Sequence, residues 1–338
     1  MGYIRFLLAA AVLVSHAGGG LPAMSAEGAV EAFFVISGFY MALTFEAHYD
    51  APGGQLRFYL SRFTRLYPLY FCGLLVMLAV QALAATYHLA INTTHSFNYF
   101  QHLQDGLQHA AVWSLLGQDL LSINPDRALS LPFRQAWSIS AELVFYLSVP
   151  ALLRLGNRSL WLIAALLFAL KYALLRQVGF DIAYFPFFSQ MGYFVLGILT
   201  FRVRHRLTFG MATTRWLGLA FAAAAVSRLD LSFESVLVPV FPLAHVAMIA
   251  LLCFAMPGVM QHTRGRADEL AGNISYGIYL THLVVIDLLR AAPWHPHRTL
   301  FAATAILVAA AVSMAFEFGV QSHIDGWRKR TFYSSRAA

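Results

Sequence analysis

The first apolar segment of the chain carries two residue types that are rare inside membranes, a cation and an imidazole. Arg5 and His16 are eleven positions apart, which is close to three turns of an α-helix. Their side chains therefore lie on one helix face, with an angular offset of about 20° and a rise of roughly 16 Å. Both residue types are costly in a bilayer and usually mark a path for ions, protons or substrate. The spacing predicts that this helix face has a chemical function.

Most of the chain around these two residues is apolar. Hydrophobic residues make up 59% of the 338, charged residues make up 12%, and the mean hydropathy is +0.63. A soluble domain carries about 25% charged residues, so too few are present here to cover a water-exposed surface. Apolar stretches near the length of a bilayer span predict an all-α integral membrane protein, one domain over 1–338 with about ten transmembrane helices. The expected spans are 3–20, 27–46, 65–87, 138–155, 159–176, 183–201, 214–229, 236–256, 272–292 and 299–321.

Basic residues indicate how these spans are oriented. They fall on one side of the membrane, together with both termini, if the weaker apolar stretch at 101–121 does not cross. We therefore interpret 101–121 as a re-entrant or interfacial helix on the outer side and place both termini in the cytoplasm. The net charge of +7 then sets topology and gives no reason to expect a nucleic-acid partner. The basic residues are Arg57, Arg62, Arg65, Arg154, Arg158, Arg202, Arg204, Arg206, Arg215, Arg264, Arg266, Arg328, Lys329 and Arg330.

The amino terminus permits a second interpretation. Arg5, the apolar run to Val14 and the sequence 15–17 resemble the three regions of a secretory signal peptide. We favour a first span, because a multi-span protein can insert without a cleaved signal.

The polar stretch 88–136 is the longest connection between expected spans. A long loop on one face of a compact domain is often a lid or a binding element, so we expect it to cover the outer mouth. Histidines recur in it every seven residues, but non-helical residues interrupt the series and no carboxylate pair accompanies it, so we predict no metal site. Cys72 and Cys253 lie in apolar runs and are interpreted as packing residues. The histidines are His88, His95, His102 and His109.

Four clusters of polar residues are embedded in apolar surroundings. Each cluster has a structural alternative. The arginines could be topology anchors, and the acid before the phenylalanines could be a solvated residue at a helix start. The tyrosines could be aromatic residues of the membrane interface. The histidine of the last cluster could equally be a hydrogen-bonded structural residue. An unpaired carboxylate one turn into a span is costly, so the acid of the third cluster points more strongly to function. The clusters are Glu27 and Glu31 before Phe33–Phe39, Arg62–Pro68, Trp137–Glu142 with Phe145 and Tyr146, and Ser275–His282.

Taken in this order, these clusters resemble the acyltransferase-3 family of integral membrane acyltransferases. The resemblance runs from Arg5 to His282 and also includes the double arginine before Tyr67-Pro68. The acid before the phenylalanine run is Glu31, where the family usually has an aspartate.

The resemblance implies transfer of an acetyl group from acetyl-CoA, as a cosubstrate rather than a bound cofactor, to a hydroxyl of an extracytoplasmic or lipid-linked carbohydrate. The expected acceptor is an exopolysaccharide or O-antigen, and the expected location is a bacterial inner membrane. The expected partners there are membrane lipid and polysaccharide-assembly proteins. We expect His16 to act as general base or as covalent acetyl carrier, and favour the general base; Glu31 or Glu142 would orient it. The residues expected to bind coenzyme A are Arg5, Arg62, Arg65 and Tyr67, and those expected to bind substrate are Ser37, Trp137, Tyr146, Tyr279 and His282.

Two functions of other classes use the same residue types. Intramembrane histidine, arginine and glutamate also suit a proton-coupled transporter of a glycan or organic anion. Such transporters often have related halves with interrupted helices, and we find no such pair here. The other alternative is a module that binds a lipid-linked glycan without chemistry of its own.

Overall fold

The computed structural model describes residues 1–21, 23–86, 106–129, 131–207, 209–226, 243–263, 265–293 and 296–333. These residues form helices and connections and contain no strand, so the all-helical prediction is confirmed. The helices are α1 (Gly2–His16), α2 (Ala26–His48), α3 (Gly54–Thr86), α4 (Gly106–Ser114), α5 (Gln118–Leu121), α6 (Pro125–Leu129), α7 (Ala136–Arg154), α8 (Asn157–Gln177), α9 (Phe180–Tyr184), α10 (Phe187–Val203), α11 (Met211–Val226), α12 (Leu243–His262), α13 (Arg266–Ala291), α14 (Arg298–Phe316), a π-helical turn (Glu317–Gln321) and α15 (Ser322–Phe332).

Seven helical segments of the described residues are long and apolar enough to cross a membrane. The helix α1 is apolar but shorter, and α3 is long but carries three arginines in its first half. Parts of three expected spans lie outside the described residues: 214–229, 236–256 and the last residue of 65–87. The protein is therefore a multi-pass helical protein, and the number of ten spans stays a prediction. The seven segments are Ala26–His48, Ala136–Arg154, Asn157–Gln177, Phe180–Val203, His245–His262, Arg266–Ala291 and Arg298–Phe332.

The helices α1 and α13 pack side by side and run in the same direction. At one end, the amino group of Met1 lies 2.9 Å from Oδ2 of Asp268. At the other end, Nη2 of Arg290 donates to the carbonyl oxygen of His16 over 3.1 Å. We call the Met1 end of the bundle its inner end and the His16 end its outer end. The parallel packing therefore places Arg5 and His16 of α1 along α13.

A close crossing fixes α2 against α10. A Cβ added at Gly197 would lie 2.1 Å from the carbonyl oxygen of Val35, and one added at Gly38 would lie 2.1 Å from that of Phe194. Small residues let helix backbones approach this closely in membranes. This close crossing fixes the position of the neighbouring residue Ser37 relative to α10.

Two tyrosines of α3 hold the segment 106–121. The hydroxyl of Tyr67 donates to the carbonyl oxygen of Ser114, and that of Tyr70 donates to the carbonyl oxygen of Val112. Tyr67 is only two residues beyond Arg65 on α3, about 3 Å along the helix axis. The stretch 101–121, predicted to be re-entrant or interfacial, thus contacts α3 through its described part, and its residues 101–105 lie outside the described residues.

The buried carboxylate of Asp119 fixes the end of the same segment. It accepts from Oγ of Ser140 over 2.7 Å and from the backbone N–H of Phe187 over 3.0 Å. The segment is therefore tied to α7 and to the start of α10, next to the outer part of the bundle.

Candidate functional site

A narrow cavity of about 60 Å³ lies between α1, α2, α7 and α13. It has room for a few water molecules. The structure thus brings residues of the first, third and fourth sequence clusters to one place, together with the arginine of α1. The lining residues are Arg5, Val30, Phe33, Phe34, Ser37, Ser138, Ile139, Glu142, Ser275, Tyr276 and Tyr279.

The carboxylate of Glu142 is the acidic group of this cavity. Its Oε1 accepts hydrogen bonds from Oγ of Ser37 over 2.5 Å and from the hydroxyl of Tyr146 over 2.6 Å. Tyr146 follows one helical turn later, so α7 supplies both the acid and one of its donors. Ser37 and Tyr146, which the sequence predicted to bind substrate, both donate to Glu142 in this structure.

The guanidinium of Arg5 lines the same cavity near its inner end. The electrostatic neighbours of Arg5 include Arg65 and Glu142. No carboxylate of the described residues lies within 4 Å of this guanidinium. A cation without an ion-pair partner on the wall of a membrane cavity is suited to meeting an anionic ligand.

The imidazoles of His16 and His282 form the outer continuation of this site. Their ring centroids are 5.0 Å apart, and the His282 ring lies 5.7 Å from that of Tyr279, which lines the cavity. His16 is exposed, whereas His282 is fully buried. The ring of His16 therefore has one side against α13 and another open at the outer end of the bundle.

Backbone carbonyls determine which ring nitrogens of these histidines carry the proton. Nδ1 of His16 lies 2.9 Å from the carbonyl oxygen of Val12, and Nδ1 of His282 lies 2.6 Å from that of Tyr279. A carbonyl oxygen only accepts, so we assign the proton of each neutral ring to Nδ1. Nε2 then keeps its lone pair, and Nε2 of His282 is buried without a hydrogen-bond partner in the described part of the chain.

Glu31 lies away from this cavity, in a buried ionic network. Its Oε1 is 2.6 Å from Nζ of Lys171, and its Oε2 is 2.7 Å from Nε2 of His245. The expectation that Glu31 orients His16 is therefore corrected, because both of its oxygens have other partners. The reason is helical geometry: Glu31 and Phe33 are two residues apart and point about 200° apart around α2, and Phe33 faces the cavity.

Sequence reasoning missed the two partners of Glu31. Lys171 is 2% exposed and also lies 3.4 Å from Oε1 of Gln190, and Nε2 of His245 lies 3.3 Å from the hydroxyl of Tyr193. A lysine and a histidine within expected spans are the same signal that identified Arg5 and His16. Applied along the whole chain, that signal would have found both residues.

The two arginines of the second cluster have different environments. Nη1 of Arg65 lies 2.6 Å from Oδ2 of Asp325, so an acid on α15 neutralises it. Arg62 is 7% exposed; its Nη2 is 3.4 Å from Oγ of Ser61, and its guanidinium lies 5.6 Å from the ring centroid of Phe58. Within the described residues, no carboxylate lies within 4 Å of Arg62. Arg62 is thus the arginine of the pair that is free to receive an anion.

The remaining predicted site residues have structural partners. The hydroxyl of Tyr67 donates to the carbonyl oxygen of Ser114, so Tyr67 holds the segment 106–121. The ring of Trp137 packs 4.9 Å from that of Tyr184 at the outer part of α7. The hydroxyl of Tyr279 lies 2.7 Å from Oγ of Ser138, within the cavity wall.

The predicted histidine series can be followed only at its last member. His88, His95 and His102 lie outside the described residues, and His109 is exposed on α4. In the part of the chain that the structure describes, no three histidine, cysteine, aspartate or glutamate residues are grouped as metal ligands.

Comparisons with known proteins place the chain in a family. A family model described as an acyltransferase domain matches residues 1–318. Over 291 residues the chain is 26% identical to nodulation protein 10 of Rhizobium leguminosarum bv. viciae, an alignment that covers 81% of this chain and 75% of that protein. No solved structure matches the chain. The matched residues include α1, all residues that line the cavity, His16 and His282. The chain belongs to the acyltransferase-3 family.

Proposed function

We propose that this membrane acyltransferase moves an acetyl group from cytoplasmic acetyl-CoA to a hydroxyl of an extracytoplasmic or lipid-linked carbohydrate. The acceptor that we favour is an exopolysaccharide or O-antigen, and the location that we favour for the enzyme is the inner membrane of a bacterium. The observation that carries the proposal is one cavity lined by Arg5, which has no ion-pair partner in the described residues, and by Tyr279, whose ring lies 5.7 Å from that of His282. The ring of His282 lies in turn 5.0 Å from that of His16. Membership of an acyltransferase family favours this function over transport or scaffolding.

The inner end of the bundle is the side from which the donor would arrive. Coenzyme A is a polyanion, and guanidinium groups bind phosphate through paired hydrogen bonds. Arg5, which lines the cavity, and Arg62, which is buried, are two arginines at this end with no carboxylate within 4 Å in the described ranges. The thioester arm would then extend toward His16 over the roughly 16 Å that separate the two residues along α1. Because the cavity holds only a few water molecules, binding of the arm requires its walls to move apart.

The chemical step follows from the free lone pair of His16. Nε2 removes the proton of the acceptor hydroxyl while the hydroxyl oxygen forms a bond to the thioester carbonyl carbon. The carbon–sulfur bond then breaks, and the departing thiolate takes the proton from the imidazolium. The carbonyl of Val12 keeps Nδ1 protonated and so presents Nε2 as the base. The carboxylate of Glu142 in the same water-poor bundle would stabilise the positive charge that develops on the ring.

The acceptor would approach from the outer end, where His16 is exposed. There the unpartnered Nε2 of His282 can accept a hydrogen bond from a second sugar hydroxyl. Trp137 and Tyr279 lie near this end and offer ring faces that suit a carbohydrate.

The test is acetyl transfer from labelled acetyl-CoA to surface glycans in membranes, with the His16→Ala variant beside the wild type. We expect activity to fall by about 10² to 10⁴, the usual contribution of a general base, with membrane insertion unchanged. His323→Ala, an exposed histidine on α15, is the matched control and should keep full activity.

Three outcomes contradict parts of this proposal. Transfer retained by His16→Ala would remove the assigned role of this residue. An acetyl group trapped on His16 after an acid quench would replace the general base by a covalent carrier. Unchanged O-acetyl content of surface glycans in a deletion strain would refute the acceptor class.

A further inference from the structure

The C-terminal helix α15 contributes a buried arginine to the inner end of the bundle. Arg328 is 5% exposed, and its Nη2 lies 3.2 Å from Oδ1 of Asp325. Its other two nitrogens, Nε and Nη1, are buried without a hydrogen-bond partner in the described residues. An unpaired buried donor costs free energy, so two on one side chain indicate a missing acceptor.

A second unpartnered guanidinium nitrogen lies in the same region. Nε of Arg62 is buried and has no partner in the described part of the chain. Arg62 and Arg65 are both close enough to act electrostatically on Arg328. Two buried arginines with free donors therefore lie on α3 and α15, two helices that pack on each other.

The acidic residues of this region do not balance its arginines. Asp325 serves two of them, with Oδ2 on Arg65 and Oδ1 on Arg328. The nearby Glu317 accepts from Nδ2 of Asn273 over 2.8 Å. Arg62 has no carboxylate within 4 Å among the described residues. The surplus of positive charge is the electrostatic requirement for binding an anion.

A π-helical turn places these groups. It covers Glu317–Gln321 between α14 and α15, and Nε2 of Gln321 donates to Oδ1 of Asp325 over 2.8 Å. Single π-turns within α-helices occur frequently at functional sites. Here the turn leads directly into α15, the helix that brings Asp325 and Arg328 against α3.

We propose that Arg328 and Arg62 together bind a diphosphate group, with Asp325 positioning Arg328. This inference rests on the proposed function, in which the diphosphate belongs to the coenzyme A donor. Planar guanidinium forks match phosphate oxygens, and the unpartnered nitrogens of both residues would acquire acceptors. The same chemistry could be met by a phospholipid headgroup, so the test separates the two sources. Arg328 lies beyond the residues that the family model matches, and the sequence alone assigned it only to membrane topology.

The test uses the full chain in nanodiscs and compares two acetyl donors. Acetyl-CoA contains the diphosphate, whereas S-acetylpantetheine contains the same thioester arm without it. For Arg328→Gln we expect the KM for acetyl-CoA to rise about tenfold to a hundredfold, the range for loss of a hydrogen bond to a charged group. The KM for S-acetylpantetheine and both kcat values should stay unchanged. Arg328→Lys should be intermediate, and Arg330→Gln, an exposed arginine on the same helix, should match the wild type.

Each other result counts against the inference. Equal losses with both donors would make Arg328 a structural residue, and an unchanged KM for acetyl-CoA would exclude the contact. If Arg328→Gln does not fold, Arg328→Lys with the KM of the wild type also overturns it. An effect that occurs only in phosphatidylglycerol and not in phosphatidylcholine nanodiscs would assign the site to lipid. Wild-type protein that binds coenzyme A without transferring acetyl, with binding weakened by Arg328→Gln, would refute the proposed function and leave this inference standing.

Discussion

The substitution Lys171→Met tests the buried ionic network around Glu31. Nζ of Lys171 lies 2.6 Å from Oε1 of Glu31, and the two side chains are 2% and 0% exposed. At this distance and an effective dielectric constant of about 20, the attraction is about 6 kcal/mol. Desolvation of both charges offsets most of that gain, so the net effect depends on whether one charge or both are removed.

Removing the lysine alone leaves the carboxylate buried and uncompensated. Breaking a buried pair in this way usually costs about 3–5 kcal/mol. We expect a loss near the lower limit, because the ring of His245 still lies 2.7 Å from the other carboxylate oxygen. The double variant Lys171→Met with Glu31→Gln removes both charges and should be close to wild type in unfolding free energy.

The measurement is reversible denaturant unfolding in detergent micelles, with the exposed Lys329→Met as the matched control. A Lys171→Met variant within about 0.5 kcal/mol of the wild type, the range of ordinary surface substitutions, would refute the reasoning. The stable double variant also tests Glu31 itself. Retained acetyl transfer would make its role structural, whereas loss of transfer without loss of stability would support the catalytic role predicted from the sequence.

Three further predictions concern the cavity and the helix crossing. Glu142→Gln removes the charge that Ser37 and Tyr146 hold, so we expect kcat to fall at least about tenfold with little change in coenzyme A binding; equal losses would indicate a structural role. Arg62→Ala should weaken labelling by a photoreactive coenzyme A analogue by about tenfold or more, and unchanged labelling would return Arg62 to the class of topology anchors. Gly197→Leu should prevent folding, because its Cβ would lie 2.1 Å from a carbonyl oxygen of α2, whereas Gly218→Leu, with nothing within 4 Å, should be tolerated. Yield of monodisperse protein on size-exclusion chromatography distinguishes these two variants.

The sequence determined features that depend on local spacing and composition. Hydropathy over windows near 20 residues predicted an all-helical membrane protein, because each span must satisfy its own backbone hydrogen bonds in lipid. The helical period placed Arg5 and His16 on one face of α1; in the structure Arg5 lines the cavity and His16 contacts His282 on α13. The family resemblance, carried by short motifs, was confirmed by a match over residues 1–318.

Only the tertiary structure decided which polar groups meet. Glu31 and Ser37 are six residues apart on α2, yet one pairs with Lys171, 140 positions away, and the other with Glu142, 105 positions away. Arg328 likewise joins the arginines of α3 only because α15 packs there. Such partners depend on which helices are neighbours, and a one-dimensional pattern of hydropathy and motifs contains no information on that choice.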